Sequence, residues 1–295
     1  MDAGPKAGKV KELLVISGKG GTGKTTVLGS FAALAENAVL ADCDVDAANL
    51  HLLLQPYVEQ TDNFYGLPKP HVEVDDCISC GVCTSVCRYN AIRNGIIDPF
   101  RCESCGVCVR SCRVGAIGSQ KVVRGHWYTA STQYGPLVYA RLHPGEENSG
   151  LLVAEVKKRA RELAKQTNRS IILTDGPPGI GCPAISALSG ADLVLLVAEP
   201  TISGCHDLQR VIDLIRSMRV PMMVCINKAD LHSEMATTIN RYCDEERIPM
   251  IGRVPFDAGV YTALTNRQPA VCTFGPAAAA IRDIWKTVAE KLATM

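Results

Sequence analysis

Gly18-Lys19-Gly20-Gly21-Thr22-Gly23-Lys24-Thr25 matches G-x-x-x-x-G-K-[ST] and stands between an apolar run, Leu13 to Ser17, and a helical pattern placing Val27, Leu28, Phe31 and Leu34 on one face. A loop of this kind lines main-chain amides around phosphate oxygens at the start of a helix, which commits the chain to strand–loop–helix geometry. Gly18 and Gly20 to Thr26 are the expected nucleotide contacts: the amides of Gly20, Gly21, Thr22, Gly23 and Lys24 cradle phosphates, Lys24 reaches the β and γ oxygens, and Thr25 binds Mg2+, with Thr26 beside it. Further strand-like runs at Ala38 to Asp42, Ile171 to Asp175, Leu193 to Ala198, Pro221 to Ile226 and Pro249 to Val254 alternate with helical patterns. Apolar strands alternating with helices predict an α/β fold with a doubly wound, mostly parallel sheet.

The 295 residues, 47% hydrophobic and 21% charged, are enough for one large domain with an insertion. A formal net charge of +1 gives no field that would attract nucleic acid or an anionic membrane, so neither is expected as a partner. No run reaches the roughly 18–20 apolar residues that span a bilayer. Eight of the fourteen cysteines have cluster-ligand spacing and the start carries no signal-like pattern, so a reducing cytoplasm is expected rather than a disulfide framework.

The alternation breaks after Leu54. Gln55 to Pro70 holds three prolines and no clear period, and a cysteine-rich block follows to about Gly118. The expected organisation is therefore a nucleotide domain over 1–70 and 119–295 with an insert over 71–118. Val122 to Leu142 reads as an antiparallel hairpin returning the chain to the sheet, with Gly125 and Gly135 as turns. Within the block Cys77-Ile78-Ser79-Cys80-Gly81-Val82-Cys83 recurs as Cys102-Glu103-Ser104-Cys105-Gly106-Val107-Cys108, and the tail Asn90-Ala91-Ile92 recurs as Gly115-Ala116-Ile117. The full pattern is C-x2-C-x2-C-x3-C twice, which resembles the bacterial two-cluster ferredoxin. That resemblance implies a ferredoxin-like α+β insert and two 4Fe-4S clusters, one on Cys77, Cys80, Cys83 and Cys112 and the other on Cys102, Cys105, Cys108 and Cys87. Zinc instead favours two separated C-x2-C pairs. Where such ferredoxins usually have proline after the fourth cysteine, this chain has Arg88 and Arg113.

Lys19 inside the glycine loop gives the form K-G-G-x-G-K-T, which resembles the MinD/Mrp group of ATPases that includes the nitrogenase iron protein. The resemblance covers nearly all of the chain outside the insert. It implies a dimer, of two copies or with a related ATPase, that sandwiches two ATP molecules while Lys19 reaches the nucleotide of the facing subunit. Asp42-Cys43-Asp44-Val45-Asp46 resembles the group's first switch, in which Asp44 orients the attacking water and Asp42 supports it. Ile171 to Gly179 has the form of a Walker B strand running into a second switch, so Asp175 is expected on Mg2+ and the backbone near Gly179 on the γ-phosphate. Asn227-Lys228-Ala229-Asp230 reads as the N-K-x-D guanine signature. The resemblance instead puts Asn227 against adenine, with Lys228 beside it and the loop Pro255-Phe256-Asp257 completing the pocket. ATP is favoured over GTP on the resemblance alone.

Cys182 lies seven positions after Asp175, where the iron protein carries a cluster ligand, but His143 to Gly150 offers no second cysteine, so a shared interface cluster is not expected. Cys43 falls in the first switch, and Cys205, Cys225, Cys243 and Cys272 read as ordinary buried thiols. Ile281, Ile284, Trp285, Val288 and Leu292 form a stripe that is expected to pack on the sheet rather than anchor the chain to a membrane. The resulting expectation is a Mg-dependent ATPase that couples ATP hydrolysis at a dimer interface to electron transfer toward a redox or metallocluster protein. Two other readings stay open: a metallocluster assembly or carrier ATPase of Mrp type, and a redox-sensing positioning ATPase.

Overall fold

The computed structural model describes residues 10–146 and 149–295. They divide into two compact units, one over 10–61, 127–141 and 149–295 and the other over 62–126 and 142–146. The second unit takes in more chain than the cysteine block itself. Of the segment His143 to Gly150, Glu147 and Asn148 lie outside the described residues.

In chain order the strands are β1 (Lys11–Ser17), β2 (Ala38–Asp42), β3 (Tyr57–Tyr65), β4 (Lys69–Val72), β5 (Ile92–Arg93), β6 (Ile96–Ile97), β7 (Ile117–Gln120), β8 (Val123–Thr132), β9 (Gly135–Leu142), β10 (Ile171–Pro178), β11 (Leu193–Ala198), β12 (Met222–Asn227) and β13 (Met250–Val254). The large sheet runs β13-β12-β11-β1-β10-β2-β9-β8-β3, and each neighbouring pair from β13 to β9 is parallel. The mostly parallel α/β sheet is therefore as expected. Strands β1, β2 and β11 are buried along nearly their whole length because helices cover both faces, which explains their continuous apolar runs.

Helices α1 (Lys24–Leu34) and α2 (Leu50–Leu54) follow the first two strands. Later come α5 (Ser149–Gln166), α6 (Cys182–Leu188), α7 (Ile202–Ser217), α8 (Ser233–Glu245), α9 (Ala258–Thr265) and α10 (Pro276–Thr294), after α3 (Val82–Val86) and α4 (Val107–Ser111) of the other unit. The terminal stripe packs inward: Ile281, Ile284, Val288 and Leu292 of α10 are buried, and Trp285 meets Phe31 of α1 with ring centroids 5.0 Å apart. Among the described residues no helix is long and apolar enough to cross a membrane.

Three local expectations are corrected. Gln55 to Pro70 is not irregular, since β3 and part of β4 lie within it. Along β3 only Phe64 is buried, so its sequence had no inward face to mark with alternating apolar residues. Gly125 lies inside β8, and the hairpin turns instead at Gln133 and Tyr134, where a two-residue connection links β8 to β9. Cys225 and Cys243 are buried as expected, but Cys205 is half-buried and Cys272 is exposed. Cys272 closes a single short turn beneath which Ala270 and Val271 fill the core, so its own side chain is left outside.

The second unit pairs β4 with β7 and β5 with β6, both antiparallel. The repeat in its sequence is repeated in its backbone. Ser79 and Gly81 have φ of 53° and 74°, and their counterparts Ser104 and Gly106 have 54° and 71°. Each left-handed glycine leads into a short helix, α3 or α4, and a second left-handed residue, Asn90 or Gly115, follows each fourth cysteine.

Candidate nucleotide and cysteine sites

The glycine loop joins the carboxyl end of β1 to α1, at the point where the sheet order departs in both directions, to β10 on one side and β11 on the other. Such a switch point opens a crevice for ligands. Gly23 has φ 92°, and a Cβ there would come within 2.2 Å of Asn227 Nδ2, so both conformation and space require glycine. A Cβ on Gly18 would meet Asp207 Cβ at 2.5 Å. Asn227, at the end of β12, donates through Nδ2 to Thr22 O at 2.7 Å and so ties the end of β12 to the loop. Lys228 Nζ donates to Gly21 O at 3.2 Å.

Lys24 begins α1 and is buried, with Nζ 2.6 Å from Asp44 Oδ2. Burial opposes its charge, but the surrounding carboxylates of Asp175, Asp44 and Asp42 outweigh it and hold the ammonium above its ordinary pKa. Thr25 Oγ1 donates to Asp175 Oδ2 at 2.6 Å. Burial pushes Asp175 up to about 6, against the opposing pull of Lys24 and the Thr25 hydroxyl. Asp42 is held well above the usual carboxylate range, first by burial and then by the charge of Asp175. Its two oxygens accept from Asp44 N and Leu50 N, both at 3.1 Å, so Asp42 shapes the loop that carries Asp44. Asp175 Oδ1 and Thr22 Oγ1 are buried with no hydrogen-bond partner. An unpartnered carboxylate oxygen next to the Thr25 hydroxyl is the donor chemistry that suits Mg2+.

Gly179 follows Asp175 on the same strand end, with φ 84° and its N–H donated to Ser17 O at 2.9 Å. Asp230 Oδ1 accepts from Phe256 N at 2.6 Å, which brings the loop after β12 to the loop after Pro255. Thr26 lies in the first turn of α1. Sequence reasoning missed Glu199, at the end of β11. Its Oε2 lies 2.9 Å from Lys19 Nζ and its Oε1 2.8 Å from Lys228 Nζ, and Lys19 also donates to Thr201 Oγ1 at 2.9 Å. A carboxylate just past a fully apolar strand was the available signal.

In the second unit the eight expected cysteines gather as two sets of four. Cys77, Cys80, Cys83 and Cys112 line one cavity of about 220 Å³. Cys87, Cys102, Cys105 and Cys108 line a narrower one of about 20 Å³. Each set takes three cysteines from one run and the fourth from the other. Among the described residues no three His, Cys, Asp or Glu side chains converge closely enough to hold a single metal ion. Cys182 is exposed at the start of α6.

The model of the CobQ/CobB/MinD/ParA nucleotide binding domain matches residues 13–270. An uncharacterized protein of Methanocaldococcus jannaschii is 32% identical over 96% of this chain and 98% of its own length. An uncharacterized ATP-binding protein of the same organism is 24% identical over 92% of this chain and 85% of its own. Among solved structures, MinD of Pyrococcus horikoshii in complex with Mg-ADP superposes with a TM-score of 0.58, at 18% identity over 95% of this chain and 96% of that one. The MinC:MinD cell division complex of Aquifex aeolicus gives 0.57, at 20% identity over 95% and 96%. At these identities the structural likeness is one of fold.

Proposed function

Because the chain belongs to the CobQ/CobB/MinD/ParA nucleotide-binding family, we propose that it is a Mg-dependent ATPase that acts as a dimer and uses ATP to control two iron–sulfur clusters in its second unit. The observation that carries the cluster half of this reading is the crossed grouping of eight thiols around two cavities. Zinc would draw four thiolates onto one point at about 2.3 Å. Thiols spread around a hollow suit a multi-iron cluster, whose irons each take one.

At the nucleotide site, Lys24 and the amides of the glycine loop receive the phosphates, and Thr25 with Asp175 would hold Mg2+. When bound, that ion would offset charge on the β and γ oxygens. Arriving phosphate competes with Asp44 for Lys24 and so releases the Asp44 carboxylate, which can then hold the attacking water. Asp42 keeps that carboxylate in place through its backbone. For Lys19 to reach a facing subunit it must leave Glu199 and Thr201. ATP is favoured over GTP because Asp230, the carboxylate of the guanine signature, already accepts from Phe256 N, and the ATP-binding relative points the same way.

In the second unit, Cys77, Cys80, Cys83 and Cys112 would hold one 4Fe-4S cluster and Cys87, Cys102, Cys105 and Cys108 the other. Such clusters supply one-electron transfer. The partner expected is a redox or metallocluster protein. A carrier ATPase would need cysteines that release their cargo, whereas two full four-thiol sets favour resident clusters.

The test is anaerobic reconstitution of the full chain with iron and sulfide, followed by EPR of the reduced protein alone and with Mg-ATP. Two clusters whose signal or potential changes on nucleotide binding are expected. Clusters that reduce normally but ignore nucleotide while ATP is still hydrolysed would overturn the gating and favour the sensor reading. A protein that takes up no iron would overturn the cluster assignment.

A further inference from the structure

The internal repeat of the second unit makes each cysteine set a control for the other. Most of their surroundings match, including the left-handed Ser79 and Ser104 and the arginines Arg88 and Arg113 after the fourth cysteines. The buried contact at Ser104 breaks the match. Ser104, between Cys102 and Cys105, lines its cavity, is buried, and accepts a hydrogen bond at 2.6 Å from Nη2 of Arg124. Arg124 is only 3% exposed. The same Nη2 donates to Leu67 O at 2.6 Å, Nη1 pairs with Glu146 Oε2 at 2.9 Å, and Nε is buried without a partner. Ser79 is exposed, and among the described residues it receives no such bond.

Charge elsewhere leans the same way. Arg110 donates to Cys105 O at 3.3 Å, whereas its repeat counterpart is the neutral Ser85. Asp75 and Asp76 precede Cys77, whereas Phe100 and Arg101 precede Cys102. Glu103 acts in the opposite direction, as the counterpart of Ile78; like Arg110, Asp75, Asp76 and Arg101 it is exposed and its field is screened by water, so the buried Arg124 is the asymmetry that counts. Glu146 offsets part of the Arg124 charge, yet it also pairs with Lys69 Nζ at 2.5 Å, so this group of three, in which Arg124 is the buried member, keeps a net positive charge.

We propose that Arg124 is a positioning and tuning residue that makes the Cys87, Cys102, Cys105 and Cys108 site the more readily reduced of the two. This rests on the cluster reading above. A reduced cluster carries one more negative charge than an oxidised one, so a buried guanidinium one residue behind the ligands favours reduction. One electron from a low-potential donor entering through the first site would leave that site oxidised again and reduce the second.

The experiment is an EPR-monitored potentiometric titration of the anaerobically reconstituted full chain, with dithionite as reductant and iron content measured in parallel. Two distinct midpoints are expected. Arg124→Gln should lower only the upper one, by about tenfold in the reduced-to-oxidised ratio at fixed potential, about 59 mV for one electron. Arg124→Lys should restore most of that shift, since it keeps the charge. Ser104→Ala keeps Arg124 and its other partners, and should lower the same midpoint by less if Arg124→Gln proves too unstable to load. Cys80→Ala should remove the lower midpoint and leave the upper. Two loaded clusters whose midpoints ignore Arg124 and Ser104, or loss of the upper midpoint in Cys80→Ala, would overturn this inference alone. Uptake of clearly less than the eight irons of two cubanes by the unaltered chain would sink the cluster reading, and the inference with it.

Discussion

Lys24 Nζ lies 2.6 Å from Asp44 Oδ2, so the lysine proposed to meet the phosphates and the carboxylate proposed to meet the water are joined to each other. On the proposed reading, nucleotide binding exchanges one partner of Lys24 for another and frees Asp44 in the same event. Asp44→Ala should leave Mg-ATP binding within a few-fold of the parent while lowering hydrolysis by about 10²-fold or more. Calorimetric binding and phosphate release measure the two halves. Equal losses in both would mean that Asp44 only props up Lys24.

The Asp175 carboxyl, raised to about 6, predicts a pH dependence whose sign can be worked out. The folded protein holds this proton more tightly than an unfolded chain, whose aspartates titrate near 3.9. The associated stability is complete below about pH 4 and is lost as pH rises through about 6. Without Mg2+, the thermal midpoint should fall over that window by more in the parent than in Asp175→Asn. Mg2+ needs the ionised carboxylate, so its affinity should weaken as pH drops below about 6. A parent and variant with parallel profiles would contradict this assignment.

Lys19 turns back onto Glu199 and Thr201 within its own chain. If it also serves a facing subunit, Lys19→Ala should keep nucleotide binding by the single chain but abolish ATP-dependent dimerisation and cut hydrolysis by about 10³-fold, as loss of a charge supplied in trans does. Sedimentation velocity with a non-hydrolysable analogue reads the first effect. Unchanged dimerisation would confine Lys19 to its contacts within one chain.

Beneath the same sheet, Glu12 of β1 is 2% exposed and is paired with Lys157 Nζ at 2.9 Å and Arg161 Nη2 at 2.7 Å, while Thr174 Oγ1 donates to it at 3.0 Å. Glu12→Gln removes the charge that balances a buried ammonium and should cost about 3 kcal/mol of stability. Adding Lys157→Met should recover part of that loss. Urea midpoints of the two variants decide the matter, and no recovery in the double variant would place the cost elsewhere.

The parallel sheet, the phosphate loop and the terminal amphipathic helix were legible from local pattern. Continuous apolar strands, a glycine loop with its lysine and threonine, and the 3.6-residue stripe of Ile281, Ile284, Val288 and Leu292 each state their role within a few neighbouring residues. Strand β3 was not legible, because exposure on both faces erases the alternation that marks a strand. The sequence marks the turn by Gly125 and Gly135, whereas the chain turns at Gln133 and Tyr134 and Gly125 is extended within β8.

By itself the sequence determined which chemistries this protein can carry: phosphate binding at Gly18 to Thr25, carboxylates at Asp44 and Asp175, and eight thiols at cluster spacing. Only the tertiary structure decided which of these groups meet. Glu199 reaches Lys19 across 180 positions, Asp175 reaches Thr25 across 150, and Arg124 reaches Ser104 across 20. The physical reason is that ligand-binding character is local to a residue and its neighbours, whereas the burial and charge that tune it come from chain folded back from far away.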